Sequence, residues 1–136
     1  MGRALAIDYG QKRIGIAVTD ELKIAANGLD TIHVKDIHVF IKKYVAENDV
    51  DTFVVGLPIT LDYKPSESTT FVENFVGWLR NKFPNIEIVR IDERFTSKMA
   101  FQTMIDSGIS KKARKNKELI DKISATIILQ SYLSSI

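Results

Sequence analysis

The rhythm of apolar residues changes along this chain, and that change constrains the fold more than any other feature. Leu5-Ala6-Ile7 is a short apolar run that ends at Asp8. Ile14, Ile16 and Val18 then alternate with Gly15, Ala17 and Thr19, the period-two pattern of a strand. Tyr9-Gly10-Gln11 reads as the turn between them, and the tight spacing predicts an antiparallel hairpin. A third strand falls within Ile24–Val34, with Asn27-Gly28 as a bend or bulge. From Asp36, an expected N-cap, the rhythm becomes helical: Ile37, Phe40, Ile41, Tyr44 and Val45 share one face. Thr52–Val55 returns to a β-rich run and closes at Gly56-Leu57-Pro58.

After a polar loop through Ser68, residues Phe71, Val72, Phe75, Val76, Leu79 and Phe83 predict a second amphipathic helix, stopped at Pro84. Ile86–Ile91 is a further buried strand, followed by Asp92-Glu93-Arg94. Thr96 or Ser97 caps a third expected helix through Met104-Ile105, ending near Gly108. A last helix is expected from about Glu118 to Leu133, with Leu119, Ile120, Ile123, Ile127 and Leu133 on or near its apolar side. The resulting order, β-β-β-α-β-α-β-α-α, predicts an α/β fold. Its five-stranded mixed sheet would be antiparallel first and parallel afterwards, with helices on both faces. The first and last parallel strands are expected near the middle of the sheet.

At 136 residues the chain has the length of one domain, expected to span 1–136. Hydrophobic residues make up 45%, enough for an ordinary core. No apolar run reaches the roughly 18–20 residues of a membrane span, so no membrane partner is expected. The first apolar stretch meets Asp8 too early for a secretion signal. The absence of cysteine excludes thiolate metal sites and a cysteine nucleophile, and it fits a cytoplasmic location. His33 and His38 alone do not make a histidine-rich metal site.

Three acids stand where ligands bind in sheets of this kind, beyond the carboxyl ends of parallel strands. Asp8 ends the first strand and Glu93 follows the last. If Val89 and Ile91 face the core, strand alternation puts Glu93 on that face too. Asp121 lies near the start of the final helix, which, packed across the strand ends, would carry it to the other two. Clustered carboxylates repel one another and raise one another's pKa values, and a divalent cation relieves that repulsion. Oxygen donors without Cys or clustered His favour Mg²⁺ or Mn²⁺ over Zn²⁺. Paired ions held by such acids activate water and stabilise the leaving oxygen in phosphodiester hydrolysis. Each acid also has a plainer role open to it: Asp8 as a turn former, Glu93 as the partner of Arg94, Asp121 as a complement to a helix dipole. Phe71, Phe75, Trp78 and Phe83 read as core or core margin rather than as a base-stacking platform.

The net charge is +2, but the bases are unevenly placed. Ser110–Lys117 holds five of them in eight residues: Lys111, Lys112, Arg114, Lys115 and Lys117. Such a strip either faces solvent or holds a polyanion through phosphate contacts.

Four stretches of the chain resemble, in order, the YqgF (RuvX-like) family of bacterial RNase H-like nucleases. They are Ala6-Ile7-Asp8-Tyr9-Gly10-Gln11-Lys12-Arg13-Ile14-Gly15-Ile16-Ala17, then Val54-Val55-Gly56-Leu57-Pro58, then Asp92-Glu93-Arg94-Phe95-Thr96-Ser97, and Asp121 through Leu129. The resemblance implies an RNase H-like fold and a cytoplasmic nuclease. It places Asp8, Glu93 and Asp121 at catalytic, metal-binding positions for Mg²⁺ or Mn²⁺, and Lys12, Arg13 and Arg94 at positions suited to phosphate contact. Two activities are attached to the family: maturation of the 5′ end of the small-subunit ribosomal RNA precursor, and Holliday junction resolution in DNA recombination. The partner is therefore expected to be nucleic acid, either pre-rRNA or branched DNA, with the protein a monomer or homodimer. Two departures are Ser124-Ala125, where the family often has paired alanines, and Phe95, where it often has leucine.

Two other readings compete. A non-catalytic RNA- or DNA-binding module would keep the fold and the basic strip without cutting. Asp8-x-Gly10 at a strand turn also suits an actin-like ATPase or sugar kinase, but those enzymes hold nucleotide between two related domains.

Overall fold

The computed structural model describes residues 2–10, 12–57, 68–92 and 116–136. Strand β1 covers Arg3–Tyr9 and β2 covers Arg13–Thr19, joined by the expected hairpin. The Gly10 N–H donates to the Arg13 carbonyl at 3.0 Å. A Cβ on Gly10 would lie 2.5 Å from that oxygen, so only glycine fits the turn. Strand β3, Ala26–His33, pairs antiparallel with β2. Between Ile16↔Asp30 and Ala17↔Gly28 the register slips, leaving Leu29 as the extra residue of a bulge.

Helix α1, Ile37–Glu47, leads to β4, Val50–Leu57. Helix α2, Ser68–Lys82, leads to β5, Glu87–Asp92, and α3, Lys117–Ser135, ends the fold. Strands β4 and β5 run parallel to β1, and the sheet order is β3-β2-β1-β4-β5. The mixed sheet is thus as expected, with one correction: β1 is central but β5 is an edge strand. The antiparallel hairpin occupies one flank of β1, so both later strands must add on the other. The helix expected after Thr96 lies outside the described residues.

Strand alternation divides the core between two faces. Leu5, Ile7, Ile14, Ile16, Phe53 and Val55 pack under α1 and α2 against Ile37, Ile41, Val72, Phe75, Val76 and Leu79. Each fully buried aliphatic side chain of this kind contributes roughly 1.5–3 kcal/mol of transfer free energy. The other face is lined by Ala4, Ala6, Ala17 and Val54 and is covered by Ala125, Ile128, Leu129 and Tyr132 of α3.

Small side chains on both sides let α3 sit very close to the sheet. A Cβ on Gly15 would fall 2.0 Å from the Asp121 carbonyl oxygen, and one on Gly28 would fall 2.8 Å from Lys122 Cγ. The buried stripe of α3 is centred on Ala125, Ile128 and Leu129, not on the larger Leu119, Ile120 and Ile123, which are only half-buried. Size explains the difference: the close approach admits alanine where a longer side chain would hold the helix away.

One helix start differs from expectation in its hydrogen bonding. Asp36 occupies the N-cap of α1 but makes no side-chain cap bond. A single 3₁₀ turn, Val34–Asp36, winds directly into the helix, so the Asp36 backbone is already helical (φ −104°, ψ −2°). His33 Nδ1 caps that turn instead, accepting from the Lys35 N–H at 3.2 Å. Helix α3 is capped by Asn116, whose Oδ1 accepts from the Glu118 and Leu119 N–H groups at 3.0 and 3.2 Å.

The turn after β2 is organised by Asp20, whose carboxylate accepts from the N–H groups of Leu22, Ile24 and Ala25 at 2.9–3.0 Å. Within it Lys23 adopts a left-handed backbone (φ 56°) and pairs with Asp51 at 2.7 Å.

Three outcomes follow from this packing. Gly15→Ala forces α3 off the sheet and lowers stability by about 2 kcal/mol or more, read as a drop in the denaturation midpoint. Ser124 is buried, and its hydroxyl has no hydrogen-bond partner among the described residues. Ser124→Ala therefore leaves stability unchanged or raises it by about 1 kcal/mol, since it removes an unsatisfied polar group. The third concerns acid. Hydrogen bonds from Ala25, Ile24 and Leu22 hold the Asp20 carboxyl below its ordinary range. Burial pushes Asp51 up, but bonds from Lys23 and Thr52 outweigh it and the net direction is also down. Folded-state values below the unfolded ones stabilise the fold above the ordinary carboxylate value of about 4. That contribution is lost as pH falls through the lowered values. The wild-type melting temperature should therefore fall more steeply below about pH 4 than that of Asp20→Asn.

Candidate active site

Asp8 lies near the carboxyl end of the central strand. Ala4 and Ala6 face α3, so alternation turns Asp8 to the same side and Tyr9 to the side of α1 and α2. Across the ladder, Asp8 is paired with Gly15. Gly15 is also the residue on which the Asp121 backbone rests. The missing side chain at Gly15 therefore places Asp121 next to Asp8. Thr31 fixes the same end of α3 from β3, its hydroxyl donating to the Glu118 carbonyl at 2.7 Å.

Arg13 shares this face, two residues before Gly15. Its Nε donates to Asp121 Oδ2 at 2.8 Å, with both side chains partly exposed. The expectation for Arg13 was phosphate contact; its guanidinium stands against an acid of the site. Lys12, next to it at the hairpin tip, is exposed.

On the other flank of β1, Ile7 is level with Val55 of β4, and Gly56 is level with Ile91 of β5. Val89 and Ile91 pack on the α3 face. Strand β5 is separated from β1 by β4 alone, so their ends lie two strand spacings apart, about 10 Å. Glu93 follows β5 directly but lies outside the described residues. So do Arg94, Lys111, Lys112, Arg114 and Lys115. Lys117 begins α3, but its side chain is not described. Two of the three expected acids are thus brought to one face. Among the described residues no three His, Cys, Asp or Glu side chains form a metal-ligand group.

The donor chemistry fits a hard cation. Asp8 and Asp121 offer only carboxylate oxygen, and both histidines are engaged elsewhere: His33 caps the 3₁₀ turn and His38 lies tilted against Trp78. Sequence reasoning did not single out Gly15 as the contact that brings the acids together. A glycine inside an apolar strand is a signal of close backbone approach and marks it in retrospect. Gly56, expected in a strand-end turn, lies instead within β4, level with Ile91. Its carbonyl, with that of Val55, accepts from Arg90, which also pairs with Glu73 at 2.8 Å.

No described helix is long and apolar enough to cross a membrane. A family model described as "RuvX: Holliday junction resolvase" matches residues 2–135. A protein of Flavobacterium johnsoniae named "Putative pre-16S rRNA nuclease" is 56% identical over 135 residues, covering 99% of this chain and 98% of that protein. One of the same name from Porphyromonas gingivalis is 50% identical over 135 residues, covering 99% of this chain and 98% of that protein. Among solved structures, "T. thermophilus RuvC in complex with Holliday junction substrate" superposes with a TM-score of 0.59 at 13% identity, covering 99% of this chain and 96% of that one. At that identity the likeness establishes the RNase H-like fold. The matched model and the relatives agree, and the chain belongs to the RuvX family of nucleases.

Proposed function

We propose that this chain is a single-domain, metal-dependent endonuclease that hydrolyses phosphodiester bonds in structured RNA, maturing the 5′ end of the 16S ribosomal RNA precursor in the cytoplasm. The observation that carries the reading is the meeting of Asp8 and Asp121 on one face at the end of the central strand, held there by Gly15. The names of the relatives supply the substrate.

In this reading Asp8, Asp121 and Glu93 hold Mg²⁺ or Mn²⁺. When bound, the cations supply an activated water and neutralise charge on the departing oxygen. The chain's own residues set the geometry. Asp8 is fixed by the β1 ladder and Asp121 by the docking of α3. Glu93, by continued alternation from Val89 and Ile91, completes the set from β5. Arg13 balances the charge of Asp121 and fixes its carboxylate, as outer-shell partners of metal ligands do. Lys12, Arg94 and the basic residues Lys111, Lys112, Arg114, Lys115 and Lys117 contact phosphates and hold the substrate without reading its sequence.

A second reading, cleavage of four-way DNA junctions, is favoured by the description of the matched family model. Matched substrates separate the two: a precursor spanning the 5′ end of 16S rRNA and an immobile DNA junction, each with Mg²⁺. The rRNA precursor should be cut at the higher rate. Asp8→Asn, Glu93→Gln and Asp121→Asn should each remove cleavage while leaving the melting temperature near wild type. Outer-shell partners are worth about 10–100-fold, so loss of a ligand should exceed that. Wild-type rates in all three variants would end the assignment.

A further inference from the structure

Directly after Asp8, the side chain of Tyr9 turns to the opposite face of the sheet and enters an aromatic cluster. Its ring lies 4.9 Å from that of Phe75, and His38 lies 4.2 Å from Trp78. Phe75 and Trp78 stack at 5.9 Å. Tyr9, His38, Phe71, Asn74, Phe75 and Trp78 line a cavity of about 220 Å³ between α1, α2 and the end of β1. Core packing accounts for Phe75, which is buried. It does not account for Phe71, which lines the same cavity yet is 51% exposed, or for the exposed amide of Asn74 beside it.

We propose that this cavity receives one unpaired nucleobase of the nucleic acid bound at the active site. The inference rests on the nuclease reading above and adds a subsite to it. Three observations choose a nucleobase over other occupants. The walls are aromatic faces, on which any base stacks irrespective of sequence. Asn74 adds a side-chain amide, able both to donate to and to accept from a base edge. The cavity also meets the site at one strand end, since Tyr9 and Asp8 are consecutive and their Cα atoms are about 3.8 Å apart. A strand lying over the carboxyl edge of the sheet would place its phosphate on the Asp8 side and a neighbouring base on the Tyr9 side. The subsite thus points to a substrate that is single-stranded beside the scissile bond.

Trp78 is the only tryptophan in the chain, so the cavity carries its own reporter. The test is titration of the full-length protein with a ten-nucleotide single-stranded adenylate RNA, in chelator and again with Mg²⁺. Tryptophan fluorescence reports stacking, and anisotropy of an end-labelled strand reports binding. A decamer of the same length without bases is the control. Saturable quenching by the adenylate strand and none by the abasic strand is expected. Phe71→Ala should weaken the quenching titration roughly ten-fold, the effect of removing one stacking partner. Phe71→Leu, which keeps the apolar helix surface but loses the ring, should weaken it similarly and guards against a folding defect in the alanine variant. No quenching in either condition, equal quenching by the abasic strand, or wild-type titrations in both variants would overturn the subsite. The nuclease reading fails separately: quenching as expected with no cleavage under Mg²⁺ or Mn²⁺ would leave a base-binding cavity without an active site beside it.

Discussion

A helix can rest on a sheet at backbone distance only where the sheet has no side chain beneath it. At Gly15 that condition is met, and the carbonyl of Asp121 occupies space that any other residue at position 15 would fill. The rest of the site depends on this contact. It sets the depth at which α3 lies, which Ala4, Ala6, Ala17 and Ala125 then match with small side chains. It also fixes Asp121 on the α3 face, next to the strand that ends in Asp8 and within reach of Arg13.

Bringing two carboxylates to one face carries an electrostatic cost that the fold offsets in part with Arg13. A guanidinium at 2.8 Å places a positive charge beside Asp121 and gives its carboxylate one orientation. In the proposed reading, Asp8 and Asp121 offer carboxylate oxygen to hard divalent cations at the end of the central strand. On the opposite face of the same strand end, where Tyr9 points, the surface is aromatic, and the described residues lining its cavity include no carboxylate, lysine or arginine. In the proposed reading one strand terminus thus presents two chemistries, one matched to a divalent cation and one to a flat ring.

Much of this was legible in the residues. The hairpin, the parallel strands and the helices on both faces follow from the switch between period two and period 3.6, because each element needs one apolar face to bury. Asp8 was legible because an acid that ends a buried run before a glycine turn is conspicuous. Strand order was less so: β5 at the edge is decided by how strands add beside β1, a non-local matter that its own residues do not encode. The true face of α3 was also hidden. Large Leu and Ile side chains dominate a hydrophobicity pattern, whereas close packing selected Ala125 and its neighbours. Asp36 shows the same limit locally, since a preceding 3₁₀ turn removed the geometry its cap bond needs. The apolar residues of α2 divided: Phe75 and Leu79 are core, as their spacing implies, while Phe71, in the first turn of the helix, is exposed.

The central claim is that acids from β1, α3 and the end of β5 make one cation site. The most direct measurement is Mn²⁺ titration of the isotope-labelled protein, following paramagnetic broadening of backbone amide signals. The account predicts that Asp8, Gly15, Asp121 and Ile91 broaden first and together, and that Asp8→Asn removes the effect at all four. Broadening centred instead on the Asp20–Asp51 turn, or on β5 without β1, would contradict it.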